Sequence, residues 1–241
     1  MFRSLFLAAL AAALCAGLVF SIVQQTRLSP LIYAAEAFEG ASAAGEPHVH
    51  EGETEPHTHG DDEWVPQDGV ERVAYTVLAN VLAAAGYALI LGAVSVALGM
   101  PITAANGLFW GLGGFASFML APSFGLPPGL PTMAIADTFA RQVWWWGTAI
   151  ATGAGLLAYA KWRAPWALAV AAVLIALPHV VGAPQPPDEA TAVPASLAAN
   201  FAASVLVASA VMWSVLGLAF GWTADWLARR DAVPASRGAH A

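Results

Sequence analysis

Long apolar runs alternate with short polar segments along this chain, and the runs determine its predicted elements. Ser4 to Thr26 holds no charged residue, and neither does Val73 to Ala136. A helix rises 1.5 Å per residue, so about 20 residues cross the hydrocarbon core of a bilayer. The first run fits one crossing. The second is too long for one, and Gly99-Met100-Pro101 is its natural break because Pro and Gly disfavour a continued helix.

The pattern predicts an all-α integral membrane protein, a bundle of about six transmembrane helices. A first helix occupies residues 1–26, and an extracytoplasmic His- and acid-rich loop follows at 27–72. Leu28 to Gly40 is expected to form a short interfacial helix, and Ala41 to Gly69 a disordered, Gly- and Pro-rich loop. A five-helix bundle then spans 73–226, ahead of a cytoplasmic tail at 227–241. Its helices are predicted at about 74–98, 102–121, 142–160, 166–181 and 197–222.

The first run has an alternative interpretation as a cleaved signal peptide, because Arg3 precedes an apolar stretch. A lipoprotein cleavage site at Leu14-Cys15-Ala16-Gly17 is matched only faintly. The run also continues past a normal signal core into Phe20, Ile22 and Val23. An uncleaved first span is therefore favoured.

Composition supports the membrane class and excludes several functions. The chain is 59% hydrophobic and 10% charged, whereas a soluble domain has about 25% charged residues. Its one cysteine, Cys15, rules out a disulfide framework or a thiolate cluster. The sequence has no Walker motif, no nucleophile–base arrangement and no basic patch for nucleic acid. We therefore expect neither an enzyme nor a nucleic-acid-binding protein.

The basic residues predict the orientation in the membrane. With six spans and the N terminus inside, six of the nine Lys and Arg residues lie on the cytoplasmic side. The positive-inside rule therefore places both termini in the cytoplasm and the His-rich loop outside. The expected location is the bacterial inner membrane.

The polar loop contains the clearest candidate chemistry. His48, His50, His57 and His59 form two His-x-His pairs among many carboxylates, without a Lys or Arg. Imidazole is a preferred ligand of divalent transition metals, and residues i and i+2 of an extended chain point the same way. The pattern favours a flexible metal-binding loop over a merely solvated acidic one, with affinity that is lost near pH 5 as the imidazoles protonate.

A few polar residues lie in or near the predicted spans. His179, after Pro178, is either a functional intramembrane residue or an interfacial histidine bonded to a carbonyl. Asp137 and Arg141 are spaced for an ion pair, either as a structural anchor or as the lining of an entrance. Asn200 is a further candidate for the path. The adjacent Trp144-Trp145-Trp146 is typical of an interfacial aromatic belt, and Gly107-x-x-x-Gly111 allows close helix approach.

Several stretches together resemble the CbtA family, proposed membrane subunits of cobalt transporters. They are Gln24-Gln25 through Ala35-Glu36, the His-rich loop, Ala140-Arg141-Gln142 with the tryptophans, Pro194-Ala195-Ser196-Leu197, and, most specifically, Pro178-His179-Val180-Val181-Gly182-Ala183-Pro184. The resemblance implies Co²⁺ as cargo, a link to cobalamin synthesis and a small single-span, His-containing companion subunit. It also implies functional roles for His179 and Arg141.

The expected function is uptake of a divalent transition metal by a membrane subunit, with the outer loop collecting the ion. Co²⁺ is the favoured cargo, Ni²⁺ and Zn²⁺ are alternatives, and no tightly bound cofactor is expected. Two other interpretations stay open. One is a membrane-anchored metal sensor or buffer, for which five further spans are excessive. The other is a scaffold subunit whose partner contains the pore.

Overall fold

The computed structural model describes residues 2–38, 66–131, 133–187 and 191–232, and within these ranges the chain forms helices and no strand. The helical segments, in chain order, are α1 (Phe2–Val23), a π-helical turn (Gln24–Leu28), α2 (Ser29–Glu36), α3 (Val70–Leu98), α4 (Gly107–Phe115), a second π-helical turn (Ala116–Leu120), α5 (Ala121–Ser123), α6 (Thr138–Trp162), α7 (Pro165–Val181) and α8 (Ala195–Ala232). The prediction of an all-α protein is confirmed.

Two of the helical rods are interrupted by π-helical turns without being broken. The first π-turn joins α1 to α2, so that residues 2–36 form one continuous rod, the first rod. The second π-turn joins α4 to α5 in a rod formed by residues 107–123. The short helix expected within Leu28 to Gly40 is present as α2, which follows the π-turn directly and ends at Glu36. Its location at the membrane interface stays a prediction. Pro30 lies in the first turn of α2, where the preceding π-turn accommodates the missing N–H of the proline.

The number of helices that could cross a membrane is lower than the six expected. Within the described ranges, three are long and apolar enough by length and composition, namely Arg3–Glu36, Val70–Leu98 and Ala195–Asp231. The Pro165–Val181 helix has only 17 residues, or about 26 Å at 1.5 Å per residue. α6 has 25 residues, but polar Arg141 and Gln142 lie near its start and Lys161 near its end.

Small residues hold α1 against its neighbours. Ala8, Ala12 and Ala16 repeat every fourth residue and are completely buried in the main core cluster. At Gly17, an added methyl group would lie 2.8 Å from the Cγ2 of Val81 on α3. In contrast, Leu14 and Leu18 of the same helix are 46% and 50% exposed. Helices in lipid associate through close van der Waals packing, so the small-residue face is the packing face and the leucine face is available to lipid.

The closest backbone approach joins α4 to α8. A methyl group at Gly107 would overlap the carbonyl oxygen of Gly217, and one at Gly111 would overlap the carbonyl oxygen of Trp213. A methyl group at Gly221 would likewise overlap the carbonyl oxygen of Thr103. The close approach predicted from Gly107-x-x-x-Gly111 is confirmed, and a second Gly-x-x-x-Gly sequence on α8 completes it.

The turn before α4 explains why that helix starts later than the predicted residue 102. Asn106 organises the turn, since its Oδ1 accepts a hydrogen bond from Thr103 N at 2.8 Å and its Nδ2 donates to Pro101 O at 3.0 Å. The Ala104 N–H donates to Asp225 of α8 at 2.9 Å. α8 itself ends at Ala232 and not near 222, so the predicted tail from 227 begins as helix.

Replacing Gly111 with alanine should destabilise the protein by at least about 2 kcal/mol, because the methyl group has no space beside the Trp213 carbonyl. Gly113→Ala is the matched control on the same helix, where no atom lies within 4 Å of the added methyl. The measurement is thermal unfolding of the detergent-solubilised chain. Equal melting temperatures for the two variants would contradict the close-packing argument.

Candidate functional site

Two cavities flank the rod formed by residues 107–123, near its π-turn at Ala116–Leu120. One, of about 430 Å³, is lined by Phe118, Met119 and the start of α6, including Arg141. The other, of about 680 Å³, is lined by Ala116, Leu120 and Phe124 together with His179 of α7. Arg141 and His179 therefore line different cavities, separated by this rod. We name them the Arg141 cavity and the His179 cavity.

His179 is positioned by a proline and two aromatic rings. Pro178 has no N–H, so the carbonyl four residues earlier loses its helical donor, and the last turn of α7 is loosened. The Trp144 indole N–H donates to the Pro178 carbonyl at 3.0 Å. The rings of Trp144 and Phe124 meet the imidazole edge-on, with centroid distances of 5.7 and 6.2 Å. The half-buried imidazole is thus oriented by packing inside the cavity.

Trp144 differs from the prediction for the tryptophan triplet. It is only 9% exposed, whereas Trp146 is 51% exposed. An interfacial belt position therefore fits Trp146 but not Trp144, which is turned inward against α7. The sequence does contain a pattern that indicates the inward orientation of Trp144. Trp144, Thr148 and Thr152 are spaced at i, i+4 and i+8, which places them on one face of α6.

Thr152 contributes an unpaired hydroxyl to the wall of the His179 cavity. Thr148 donates its hydroxyl to the Trp144 carbonyl at 2.9 Å, but the Thr152 Oγ1 has no hydrogen-bond partner among the described residues. The Thr152 side chain is 2% exposed. Gln185 is also in the lining, and its amide N–H donates to the Ala183 carbonyl at 2.9 Å. Among the described residues, the lining thus contains an imidazole, an amide group and a threonine whose hydroxyl is covered, and no charged side chain.

Asp137 and Arg141 do not form the predicted ion pair. The Asp137 carboxylate caps α6 instead, since its Oδ1 accepts a hydrogen bond from the Ala140 N–H at 2.8 Å. A helix N terminus attracts a carboxylate because its first N–H groups lack helical acceptors. Arg141 lines its own cavity with Thr138, Gln142, Trp145 and Trp146.

A cluster around Arg72 joins the two helices that border the His-rich segment. The Arg72 guanidinium forms ion pairs with Glu36 at the end of α2, at 2.7 Å, and with Asp68, at 3.0 Å. It also lies over the Tyr33 ring, 5.0 Å from its centroid. The sequence interpretation did not single out this residue. His48, His50, His57 and His59 lie outside the described residues.

The borders of the His-rich segment and the His179 cavity lie at the same end of the bundle. Leu28 and Ala35 of the first rod cluster with Leu130 of the connection that follows Phe124 and with Phe201 near the start of α8. Phe124 in turn lines the His179 cavity. The opposite end contains the Ala104–Asp225 contact. Residues that are far apart in sequence are thereby brought to one end.

The remaining candidates lie away from the two cavities. Asn200 is exposed in the early turns of α8 and lines neither cavity. Asn80 bridges α3 to the first rod, because its amide N–H donates to Gln24 at 2.7 Å and to Ser21 at 3.1 Å. Among the described residues, no three His, Cys, Asp or Glu side chains are grouped closely enough to hold a metal ion.

The long apolar helices, the small-residue packing and the outward-facing leucines define an α-helical membrane protein. The family model for CbtA, described as a probable cobalt transporter subunit, matches residues 2–225. The chain therefore belongs to the CbtA family. No curated protein and no solved structure matches the chain significantly.

Thr152→Val should stabilise the protein by about 1 kcal/mol, because it removes a buried hydroxyl that lacks a partner and keeps the side-chain shape. Thr148→Val is the matched control one turn earlier, where the hydroxyl is hydrogen-bonded and its loss should not stabilise. Chemical unfolding in mixed micelles measures both. A less stable Thr152→Val protein would show that the hydroxyl has a partner in solution.

Proposed function

We propose that this chain is the membrane subunit of a divalent-metal uptake system whose cargo is Co²⁺. Membership of the CbtA family supports a transporter subunit. The single structural observation that supports a metal path is the His179 cavity, which combines an oriented imidazole with an unpaired hydroxyl. In this proposal the protein lies in the bacterial inner membrane with both termini in the cytoplasm.

The His-rich segment collects the ion in this proposal. His48, His50, His57 and His59 lie among carboxylates, so the segment attracts cations and offers nitrogen ligands. The Arg72–Glu36 ion pair supports this role, since it holds the two helices that border the segment together at the end where His179 lies. Captured ions are therefore released at the end of the bundle that contains the His179 cavity.

The His179 cavity receives the ion in the next step. A shell of six waters needs about 180 Å³, at about 30 Å³ per water, so a cavity of about 680 Å³ admits a hydrated ion. His179 replaces one water with a nitrogen ligand, and the Gln185 amide oxygen offers a weaker oxygen ligand. The covered Thr152 hydroxyl becomes a further ligand only when its side chain rotates toward the cavity. A path needs such weak, partial coordination, because an ion held by many strong ligands leaves slowly.

The neutral lining of this cavity also favours late first-row metals over Mg²⁺ or Ca²⁺. Hard cations prefer carboxylates and other oxygen ligands, whereas imidazole suits Co²⁺, Ni²⁺ and Zn²⁺. Imidazole alone does not separate these three metals. In the proposed system a small, single-span, His-containing companion works with this chain, and uptake is measured with and without it.

Replacing His48, His50, His57 and His59 with alanine should lower Co²⁺ uptake several-fold at limiting metal and leave it nearly unchanged at saturating metal. A collector raises the local ion concentration, so its loss matters only when ions are scarce. The cellular contents of Co, Ni and Zn measure the effect, and glutamine replacement of Glu51, Glu53 and Glu55 separates ligation from charge. Equal uptake by wild type and the four-alanine variant would exclude the collector role.

His179→Ala should reduce Co²⁺ transport at least tenfold in reconstituted vesicles, including at saturating metal, because it removes the nitrogen ligand in the cavity. Val180→Ala is the matched control, since that neighbouring side chain is 82% exposed. Thr152→Val should give a smaller loss. Full transport by a folded His179→Ala protein would remove this residue from the path, and metal binding without transport by the wild type would favour a buffer.

A further inference from the structure

The Arg141 cavity contains a cation that has no counter-ion in the part of the chain that the structure describes. The Arg141 side chain is half-buried on the second turn of α6. Among the described residues, no carboxylate lies within ion-pair distance of its guanidinium, and the nearby Asp137 is engaged with the Ala140 N–H. A half-buried, unpaired guanidinium has lost part of its hydration and gains strongly from an anionic ligand.

The lining of this cavity suits an anion and not the metal cargo. Thr138 and Gln142 offer a hydroxyl and an amide as further donors, and none of the described residues that line the cavity is acidic. Trp145 and Trp146 form an aromatic wall with ring centroids 5.0 Å apart. Tryptophan is enriched where a bilayer meets water, which places this cavity at headgroup depth. A divalent cation here would meet the charge of Arg141 without compensation.

An exposed apolar stripe leads away from the cavity along α6. Phe139, Val143, Trp146 and Ile150 are 73%, 56%, 51% and 65% exposed. Their spacing of four, three and four residues places them on one helical face. Trp146 belongs both to this stripe and to the cavity lining. The anion site is therefore continuous with a surface about three turns long that is suited to a hydrocarbon chain.

We infer that the Arg141 cavity binds the phosphate group of a membrane phospholipid, with one acyl chain lying along the stripe from Phe139 to Ile150. The guanidinium pairs with the phosphate oxygens in a fork geometry, and Thr138 and Gln142 donate to the remaining oxygens. A free anion would use the cavity but not the stripe. This inference is independent of the metal path, which lies in the other cavity.

The test is native mass spectrometry of the full chain in detergent, titrated with short-chain phosphatidylglycerol. Diacylglycerol of the same chain length lacks the phosphate, and inorganic phosphate lacks the chains. Phosphatidylglycerol should bind saturably and at least tenfold more tightly than either. Arg141→Gln should weaken that binding at least tenfold, because a charge-assisted bidentate contact is lost. Arg229→Gln, which removes the same charge from an exposed position on α8, should leave it unchanged.

A second variant covers the case in which Arg141→Gln does not fold. Phe139→Ser keeps the guanidinium and shortens the stripe. It should therefore weaken phosphatidylglycerol binding at least threefold and leave the binding of inorganic phosphate unchanged. Wild-type affinity in a folded Arg141→Gln protein would overturn the inference. So would equal binding of diacylglycerol, which indicates adsorption to the stripe alone, or equal binding of inorganic phosphate, which indicates a free-anion site.

Discussion

The contact between the backbones of α4 and α8 is the interaction on which the rest of the bundle depends. Gly107 and Gly111 on one helix, with Gly217 and Gly221 on the other, leave no space for a side chain between them. In lipid there is little hydrophobic gain from bringing two apolar helices together, so close van der Waals contact must supply the stabilisation. α8 also packs against the alanine face of α1 through Trp213, Leu216 and Phe220, which share one core cluster with it. The bundle is thus held by small residues on three rods.

The position of α4 determines where the two cavities form. Its continuation through the π-turn Ala116–Leu120 packs against α6 and contributes residues to the linings of both cavities. A π-turn widens a helix and shifts the register of the residues that follow, and such turns are frequent at functional sites. Phe124, at the end of this rod, meets His179, whereas Phe118 stacks with Trp213 and contacts Trp145. One rod therefore separates a neutral cavity with an imidazole from a cavity with an unpaired guanidinium.

This separation has a chemical consequence for a transporter subunit. Among the described residues, the lining beside His179 contains no charged side chain, while the positive charge of Arg141 lies across the rod. In the two proposals, the sites therefore serve different ligands without competing, one a hydrated metal ion and the other the phosphate group of a lipid. The borders of the His-rich segment, which Arg72 and Glu36 join, lie at the same end of the bundle as His179. Sequence order alone places Glu36 and His179 more than a hundred residues apart.

The sequence by itself determined the helical class, the approximate place of each helical rod and the glycine contact surface, because apolar runs and small-residue spacing are local patterns. It also pointed to the CbtA family and to His179. The number of crossing helices predicted from the sequence was too high. In the sequence, an apolar run that is short or has polar ends resembles a run that is long enough to cross the membrane. The partner of Asp137, the inward turn of Trp144, the unpaired hydroxyl of Thr152 and the role of Arg72 were decided only by the tertiary structure. Each depends on which face of a helix meets another element, and contacts between distant segments leave no periodic signal in a single chain.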